Sequence, residues 1–328
     1  MPRSSKELVQ AFFATKPVDR PPFIPLIASA AAQFMQVPVQ RMYSDPTALA
    51  NSLHACQRLF KHDAVVVLFD QTLEAEALGC ELAWDEGGPP RVGSPAVSGA
   101  GDIEALDSAI EAKGRVPVVL EAAKRLVVTA GQDCAVLGAV TGPVTIGKHL
   151  LGDSFLELAS TDGDAFRRVI EFSGRVAVAL SRAFGELKLD GLVVSDPDLV
   201  SLAGGHYENV NSVLKTLHNV TGFYNMPLIL HTGGVPADGM DAFLGLEADA
   251  FSASGLVGTG EVPPGRMLGV PVPAPALAGT PPDIERAVQE LLAAVRSRAV
   301  FVTTEGEVPV RTPAANLHKL VQAIAAGS

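Results

Sequence analysis

Four ionisable residues follow short apolar runs, at positions where a buried strand would end. The run AVVVLF precedes Asp70, GLVVS precedes Asp196, AVFVTT precedes Glu305, and PLIL precedes His231. Continuous β-branched runs are typical of strands covered on both faces, so a charged side chain is tolerated only where the strand emerges. We therefore expect these four side chains to converge around one cavity and to bind a ligand or transfer protons there.

Acidic residues are densest directly after the first of these runs, in Asp70-Gln71-Thr72-Leu73-Glu74-Ala75-Glu76. Clustered carboxylates raise one another's pKa values and serve as general acids or as ligands of metal ions. We predict that Asp70 and Glu74 are catalytic and that Thr72 binds the substrate or cofactor. The alternative is that one or two of these carboxylates cap a helix or face solvent.

His231 is followed by Thr232, Gly233 and Gly234, and glycines let a ligand approach the backbone closely. An imidazole at this position could bind zinc, hydrogen-bond to an oxyanion or transfer a proton. The sequence thus favours a catalytic His231 with Gly233 and Gly234 as binding residues. A structural histidine is the alternative.

Three further groups of polar residues extend this set. Asp196-Pro197-Asp198 aims aspartates across the mouth of a barrel or, alternatively, Asp196 caps a helix. Glu305 and Glu307 flank Gly306 and are either ligands or exposed side chains. His206 follows a Gly-Gly pair and is predicted to start a helix, with ligand binding as the second interpretation.

The elements that must position these residues alternate between strands and helices. Eight strands are predicted, at 23–27, 64–69, 135–140, 191–195, 227–231, 249–253, 267–271 and 299–304. Helical patterns separate most of them, so the sequence predicts an α/β fold, a (β/α)8 TIM barrel whose site lies at the carboxyl ends of the strands. An amino-terminal helix and a hairpin within 81–95, after the second strand, complete one domain spanning 1–328.

Composition excludes several classes of function. The net charge of −11 disfavours nucleic acid and anionic membranes as partners. No apolar stretch has the roughly 18 residues needed to span a bilayer, and the first residues lack the apolar core of a signal peptide. We expect a cytoplasmic protein. Cys56, Cys80 and Cys134 form no CxxC arrangement and are expected to be buried thiols.

Several stretches of the chain resemble the uroporphyrinogen decarboxylase superfamily, namely DAVVVLFDQTLEAEALGCEL, VTGPVTIGKHLLG, VSDPDLVSLAGGHYENV, LILHTGG and EGEVPVRTPAANLHKLVQAI. Within it, the closer branch looks like the corrinoid-dependent methyltransferases of the methylcobamide:coenzyme M type. The resemblance implies the same barrel and the transfer of a methyl group between a methylcobamide and a thiol or another acceptor. Lys148, in the second of these stretches, is a further candidate binding residue.

The resemblance fails at the zinc-binding cysteines of that branch. One of these cysteines lies two positions after the histidine that His231 matches, and another lies after the last strand. In this sequence Gly233 and Gly306 occupy those two positions. A zinc ion would then depend on His231 with the carboxylates Glu74, Glu305 and Glu307, a harder and less thiophilic donor set. We therefore expect a corrinoid on a partner protein as the cofactor, and zinc is doubtful.

The decarboxylase branch is the alternative. Asp70 matches the aspartate that steadies the protonated pyrrole there, but residues 25–36 contain no positive charge for a substrate with many carboxylates. The apolar loop from Ala28 to Ala32 instead predicts a neutral wall for an aromatic methyl ether or the face of a corrinoid. A barrel that binds a corrinoid or tetrapyrrole without chemistry is a third interpretation.

The leading hypothesis is therefore methyl transfer between a corrinoid on a small corrinoid-binding protein and a small molecule, such as a thiol, a folate or an aromatic methyl ether. This places the protein in one-carbon metabolism or O-demethylation. His231 and nearby carboxylates would activate the acceptor, Glu74 would protonate a departing aryloxide, and Asp70 and Asp196 would orient the substrate. A homodimer is left open.

Overall fold

The computed structural model describes residues 3–85, 87–202, 206–257, 265–295 and 299–327. Its main sheet has seven parallel strands that pair in chain order. These strands are β1 (Ala64–Val66), β4 (Ala135–Thr141), β5 (Gly191–Ser195), β6 (Leu228–Gly233), β7 (Ala250–Ala253), β8 (Met267–Val272) and β9 (Val300–Thr304). Nearly every strand residue is buried, as expected for a parallel sheet covered on both faces. Seven of the eight predicted runs therefore form strands.

The eighth predicted run, 23–27, makes one parallel bridge, between Phe23 and Val302. Its backbone also accepts a hydrogen bond of 2.9 Å from the amide of Asp63, next to β1. The segment thus lies between the last strand and the first, where an eighth strand would close a barrel. Prolines at 21, 22 and 25 have no N–H to donate, which explains why a longer ladder does not form.

Helices alternate with these strands. They are α1 (Ser5–Phe13), α2 (Ser29–Phe34), α3 (Val39–Ser44), α4 (Pro46–Phe60), α5 (Leu73–Ala77), α6 (Val116–Thr129), α7 (Pro143–Leu151), α8 (Ser154–Thr161), α9 (Gly163–Glu186), α10 (Tyr207–Phe223), α11 (Met240–Leu244), α12 (Ala274–Ala278), α13 (Pro281–Ala294) and α14 (Ala314–Ala326). Short 3₁₀ helices cover Ala100–Ala105 and Pro197–Ser201. No helix in these described ranges is long and apolar enough to cross a membrane.

A two-stranded antiparallel hairpin follows α5 and consists of β2 (Glu81–Trp84) and β3 (Pro90–Ser94). The indole of Trp84 packs edge-on against Tyr43, with 5.8 Å between ring centroids. The guanidinium of Arg115 lies 5.3 Å from the centroid of the Trp84 ring. Aromatic and cation–π contacts therefore hold the hairpin against the domain.

Three aspartate carboxylates fix the amino-terminal edge of the sheet. Asp63, Asp190 and Asp249 each precede a strand and accept a hydrogen bond from the backbone of the neighbouring strand or segment, at Phe23 (2.8 Å), Val136 (3.0 Å) and Leu228 (2.7 Å). Each carboxylate also has a basic partner, respectively Arg20, Lys6 and His218. This edge is therefore built for strand alignment, and it lies opposite the predicted site.

Candidate functional site

A cavity of about 300 Å³ lies at the carboxyl-terminal edge of the sheet, between the end of β1 and the β2–β3 hairpin. Its polar lining includes Asp70 and Thr72 after β1, Arg91 on the hairpin, His149 on α7 and Glu307 after β9. Phe69 and hairpin residues 89, 90 and 92 supply apolar wall. Three residues that the sequence predicted, Asp70, Thr72 and Glu307, therefore share one cavity.

The carboxylate of Asp70 is fully paired. One oxygen accepts hydrogen bonds of 2.8 Å from both the amide and the hydroxyl of Thr72, and the other lies 2.6 Å from Nη1 of Arg115. The same guanidinium donates through Nε to Glu76 at 2.7 Å, and its side chain is only 7% exposed. Asp70 is thus a negative charge held in place at the cavity, with Arg115 as its partner.

Glu307 reaches the cavity from the loop after β9. Its carboxylate accepts a hydrogen bond from the backbone amide of Ser29, whose hydroxyl lies 2.9 Å from the hydroxyl of the buried Tyr43. Burial raises the pKa of Glu307 to about 7, and the charge of Asp70 acts in the same direction. This carboxyl therefore exists in both protonation states near neutral pH.

Glu74 and Asp196 are both buried and are hydrogen-bonded to other parts of the chain. Glu74 is completely buried and accepts hydrogen bonds from the amide (2.7 Å) and the hydroxyl (2.6 Å) of Thr141 on β4. Asp196 is also completely buried and accepts from the amides of Val144 and Thr145 at the start of α7, so it caps that helix. Burial raises the pKa of each carboxyl to about 7. Neither residue lines the cavity, and the catalytic roles predicted for them stay predictions.

His231 lies behind the cavity wall rather than in it. The ring packs edge-on against Phe69 at 5.6 Å, its Nδ1 lies 3.1 Å from Oγ of Ser252, and only 4% of the residue is exposed. Burial lowers the pKa of His231 to about 4, and the backbone and charge of Glu305 oppose this shift. His231 is therefore a neutral, oriented imidazole at neutral pH.

Asp70, Asp196, His231 and Glu305 were expected to converge on one cavity, and the structure gives them different hydrogen-bond partners. All four lie at the carboxyl-terminal edge, but among them only Asp70 lines the described cavity. The carboxylate of Glu305 instead accepts from the hydroxyl of Ser254 at 2.7 Å and faces the amide of Ala274. The polar side chains at this edge of the sheet thus contact different partners.

The sequence model of the uroporphyrinogen decarboxylase (URO-D) family matches residues 4–326. The chain belongs to this family. This URO-D protein is 26% identical over 330 residues to the methylcobamide:CoM methyltransferase MtbA of Methanosarcina mazei, covering 97% of this chain and 96% of the relative. The resemblance inferred from the sequence is confirmed.

Solved structures show the same fold. A methyltransferase from Methanosarcina mazei superposes on this URO-D protein with a TM-score of 0.83 at 22% identity and covers 98% of both chains. A B12-independent methionine synthase from Shewanella sp. W3-18-1 gives a TM-score of 0.52 at 13% identity over 86% of each chain. Both likenesses support the TIM-like architecture.

The remaining candidate binding residues lie outside the cavity lining. Gly233 has a left-handed φ of +72° beside the backbone of Glu305, and nothing lies within 4 Å of a Cβ built at Gly234. Lys148 forms an ion pair of 2.6 Å with Asp198. His206 precedes α10, as predicted, and packs against Phe166 at 5.4 Å.

The neutral wall predicted at residues 28–32 is wrong. Ala28 and the residues after it are completely buried in the core, and Ser29 begins the short helix α2. The apolar run therefore packs inside the protein, since alanines allow helices to approach closely, and it presents no open surface to a ligand.

The predicted zinc donors do not form a site. No three histidine, cysteine, aspartate or glutamate side chains in the described part of the chain are grouped so that they could hold a metal ion. His231, Glu74, Glu305 and Glu307 each contact different polar partners. The three cysteines are buried and free, and burial raises the pKa of Cys56 to about 12. A thiophilic zinc site does not fit these residues.

A larger cleft, of about 900 Å³, lies at the opposite edge of the sheet. Its lining includes Asp190 and Asp249, whose carboxylates are committed to strand amides and basic partners. Barrel enzymes place their chemistry at the carboxyl-terminal edge. The smaller cavity is therefore the candidate active site.

Sequence reasoning missed several residues of the cavity lining, among them Arg91 and His149, and it also missed Arg115, the partner of Asp70. Arg115 precedes α6 in a region with no strand signal, and His149 follows Lys148 within α7. A signal was available for His149, because it lies in a stretch already used for the family resemblance. Arg115 has no such signal, since its contacts with Asp70 and Glu76 depend on packing across 45 and 39 positions.

Proposed function

We propose that this URO-D protein transfers a methyl group between a corrinoid, carried by a separate small protein, and a small molecule in the hairpin-covered cavity. The observation that carries this proposal is a small cavity at the carboxyl-terminal edge of a chain that is similar over 97% of its length to a methylcobamide:CoM methyltransferase. A corrinoid, when bound, supplies the cobalt that gives or receives the methyl group.

Cavity size favours a small donor or acceptor. Small-molecule sites typically measure about 300–1,000 Å³, and a cavity of about 150 Å³ suffices for benzene. At about 300 Å³ the cavity suits a single substituted ring or a smaller compound. The corrinoid would then approach from outside, and a whole porphyrinogen exceeds the space, which argues against the decarboxylase alternative.

Apolar and polar surfaces are combined in the cavity. Phe69 and the hairpin prolines offer faces on which an aromatic ring can pack, while Glu307 and Asp70 supply polar atoms. Glu307 replaces Glu74 in the predicted mechanism, because it is the carboxyl of the two that lines the cavity. A phenol, an aromatic methyl ether or a thiol fits this combination.

Spectroscopy with methylcobalamin tests the proposal. The purified protein is incubated with methylcobalamin and one acceptor at a time, either a phenol, a thiol or tetrahydrofolate. The absorbance of the cobalamin is followed in each reaction. We expect protein-dependent demethylation of methylcobalamin with at least one acceptor. Release of carbon dioxide from uroporphyrinogen, with no cobalamin change for any acceptor, would contradict the proposal.

A further inference from the structure

One cavity-lining side chain has a hydrogen-bonding atom without a partner. Nδ1 of His149 is shielded from solvent and has no hydrogen-bond partner among the described residues. Leaving such an atom unpaired costs about 1–3 kcal/mol, so native structures rarely do it without a reason. The other such atoms in the described chain belong to side chains that do not line this cavity.

The backbone of His149 is held firmly. Asp196 caps the start of α7, and the His149 carbonyl accepts a hydrogen bond of 3.4 Å from the thiol of Cys80. The preceding residue, Lys148, is tied to Asp198. The imidazole therefore has a fixed base, and its ring orientation is set by the torsion about Cβ–Cγ, in which a half-turn exchanges the two ring edges.

Burial lowers the pKa of His149, so the ring is neutral at neutral pH. The charges of Asp198 and Asp70 raise the pKa of His149, as does a contact with the backbone of Gln71, and the charge of Lys148 lowers it. Arg91 and Glu307 share the cavity with it. A neutral imidazole has one nitrogen that accepts a hydrogen bond and one that donates.

We propose that His149 binds the reacting heteroatom of the substrate and exchanges a proton with it. The inference rests on the proposed methyl transfer and names its proton acceptor. In the methylating direction the O–H or S–H bond of the acceptor breaks, the proton moves to an imidazole nitrogen, and the electron pair stays on the heteroatom. That pair would then form the bond to the methyl carbon, while the bond from this carbon to the corrinoid breaks and leaves its electron pair on the corrinoid. In the reverse direction the heteroatom would lose its methyl group to the corrinoid, and the imidazolium would return the proton to it.

Binding can be measured without any corrinoid. Protein labelled with ¹⁵N-histidine is titrated with phenol and, as a matched ligand without a hydroxyl, with toluene. The nitrogen resonances of His149 are identified as those missing from the spectrum of His149→Phe. We expect phenol, but not toluene, to shift these resonances. The affinity for phenol should fall about tenfold in His149→Phe, the loss of one good hydrogen bond.

A second variant separates binding from proton transfer. His149→Gln keeps a hydrogen-bonding side chain but cannot accept a proton, so phenol affinity should stay within about threefold while kcat falls about 10²-fold. His218→Gln, at the opposite edge of the sheet, is the control and should match the wild type.

Unmoved His149 resonances at saturating phenol, unchanged phenol affinity in His149→Phe, or full kcat in His149→Gln would each overturn the inference. If methyl transfer is not found but phenol still shifts His149, the proposed function fails while the binding role stands.

Discussion

The start of helix α7 depends on two residues, Asp196 and Gly142. A Cβ built at Gly142 would lie 2.3 Å from Cβ of Asp196, closer than such atoms approach. We expect Gly142→Ala to displace the capping carboxylate and to lower the free energy of unfolding by about 1–3 kcal/mol. Urea denaturation measures this change. Gly222→Ala, where nothing lies within 4 Å, is the control and should be neutral or slightly stabilising; equal losses in both variants would contradict the steric argument.

Glu74 makes stability depend on pH in a predictable direction. Its pKa is about 7 in the folded protein and near 4.5 when unfolded, so between these values the folded state binds the extra proton. Its contribution to stability is therefore full at low pH and is lost as pH rises through 7. In Glu74→Gln the amide oxygen can accept from the Thr141 amide and the NH2 group can donate to the Thr141 hydroxyl, but the side chain cannot ionise. The variant should therefore gain stability relative to the wild type between about pH 4.5 and 7.

Glu74→Gln must be compared with the wild type at each pH. The lowered pKa values of His62 and His231 make the free energy of unfolding rise with pH in the same range, opposite to the effect of Glu74. Denaturation curves at pH 5 and pH 8 provide the measurement. A stability difference between Glu74→Gln and the wild type that is independent of pH would show that Glu74 is ionised in the folded protein.

At the scale of single residues, the sequence revealed which polar groups lie at strand ends but not what they contact. The helix-cap alternative for Asp196 agrees with the structure, yet the capped helix lies about 50 positions earlier in the chain, at Thr145. His231 is at the predicted strand end but is enclosed by Phe69 and Ser252. Such contacts follow from strand register and packing, which local patterns do not encode.

At the scale of elements, Arg115 joins the β2–β3 hairpin to the end of β1. Its guanidinium pairs with Asp70 and Glu76 and stacks near Trp84. Arg115→Met should lower the free energy of unfolding by about 3–5 kcal/mol, since it leaves a buried carboxylate without its partner. Urea unfolding followed by the fluorescence of Trp84, the single tryptophan in the sequence, measures this.

The exposed ion pair of Arg91 and Asp85 on the same hairpin provides the control for Arg115. Arg91→Met should change stability by less than about 1 kcal/mol, because solvent screens that pair. A similar small effect for Arg115→Met would mean that the hairpin does not depend on its guanidinium.

Element positions were the most predictable part of this fold. Long apolar runs such as that of β4 give strands, and Asp45 followed by Pro46 gives the start of α4, with the side chain of Asp45 capping Ala48 at 2.7 Å. The segment 23–27 was less predictable, because its apolar residues satisfy the strand pattern while its prolines prevent a ladder. In this segment the apolar residues therefore predict a strand, whereas the missing N–H groups of the prolines predict that a full strand does not form.

At the scale of the whole molecule, Asp63, which directly precedes β1, binds the segment from Arg20 to Phe23, and this segment in turn pairs with the last strand, β9. Its carboxylate is 1% exposed and accepts hydrogen bonds from Ser5 (2.6 Å), from both terminal nitrogens of Arg20 (2.7 Å each) and from the amide of Phe23 (2.8 Å). Asp63→Ala leaves a buried amide without an acceptor and Arg20 without its carboxylate partner, so we expect a loss of about 3 kcal/mol in the free energy of unfolding.

The location of the effect distinguishes barrel closure from a general loss of stability. The amide of Ile24 donates to Val302 at 2.8 Å, and the amide of Val302 donates back to the segment, at Pro22, also at 2.8 Å. We call the pairing of residues 22–24 with Val302 the seam. In Asp63→Ala these two amides should exchange with solvent faster than the amides of β5, because the seam opens before the sheet unfolds. Asp133→Ala, an exposed aspartate just before β4, is the matched control and should change stability by less than about 0.5 kcal/mol. Uniformly faster exchange throughout the sheet would show that Asp63 stabilises the domain as a whole rather than this seam.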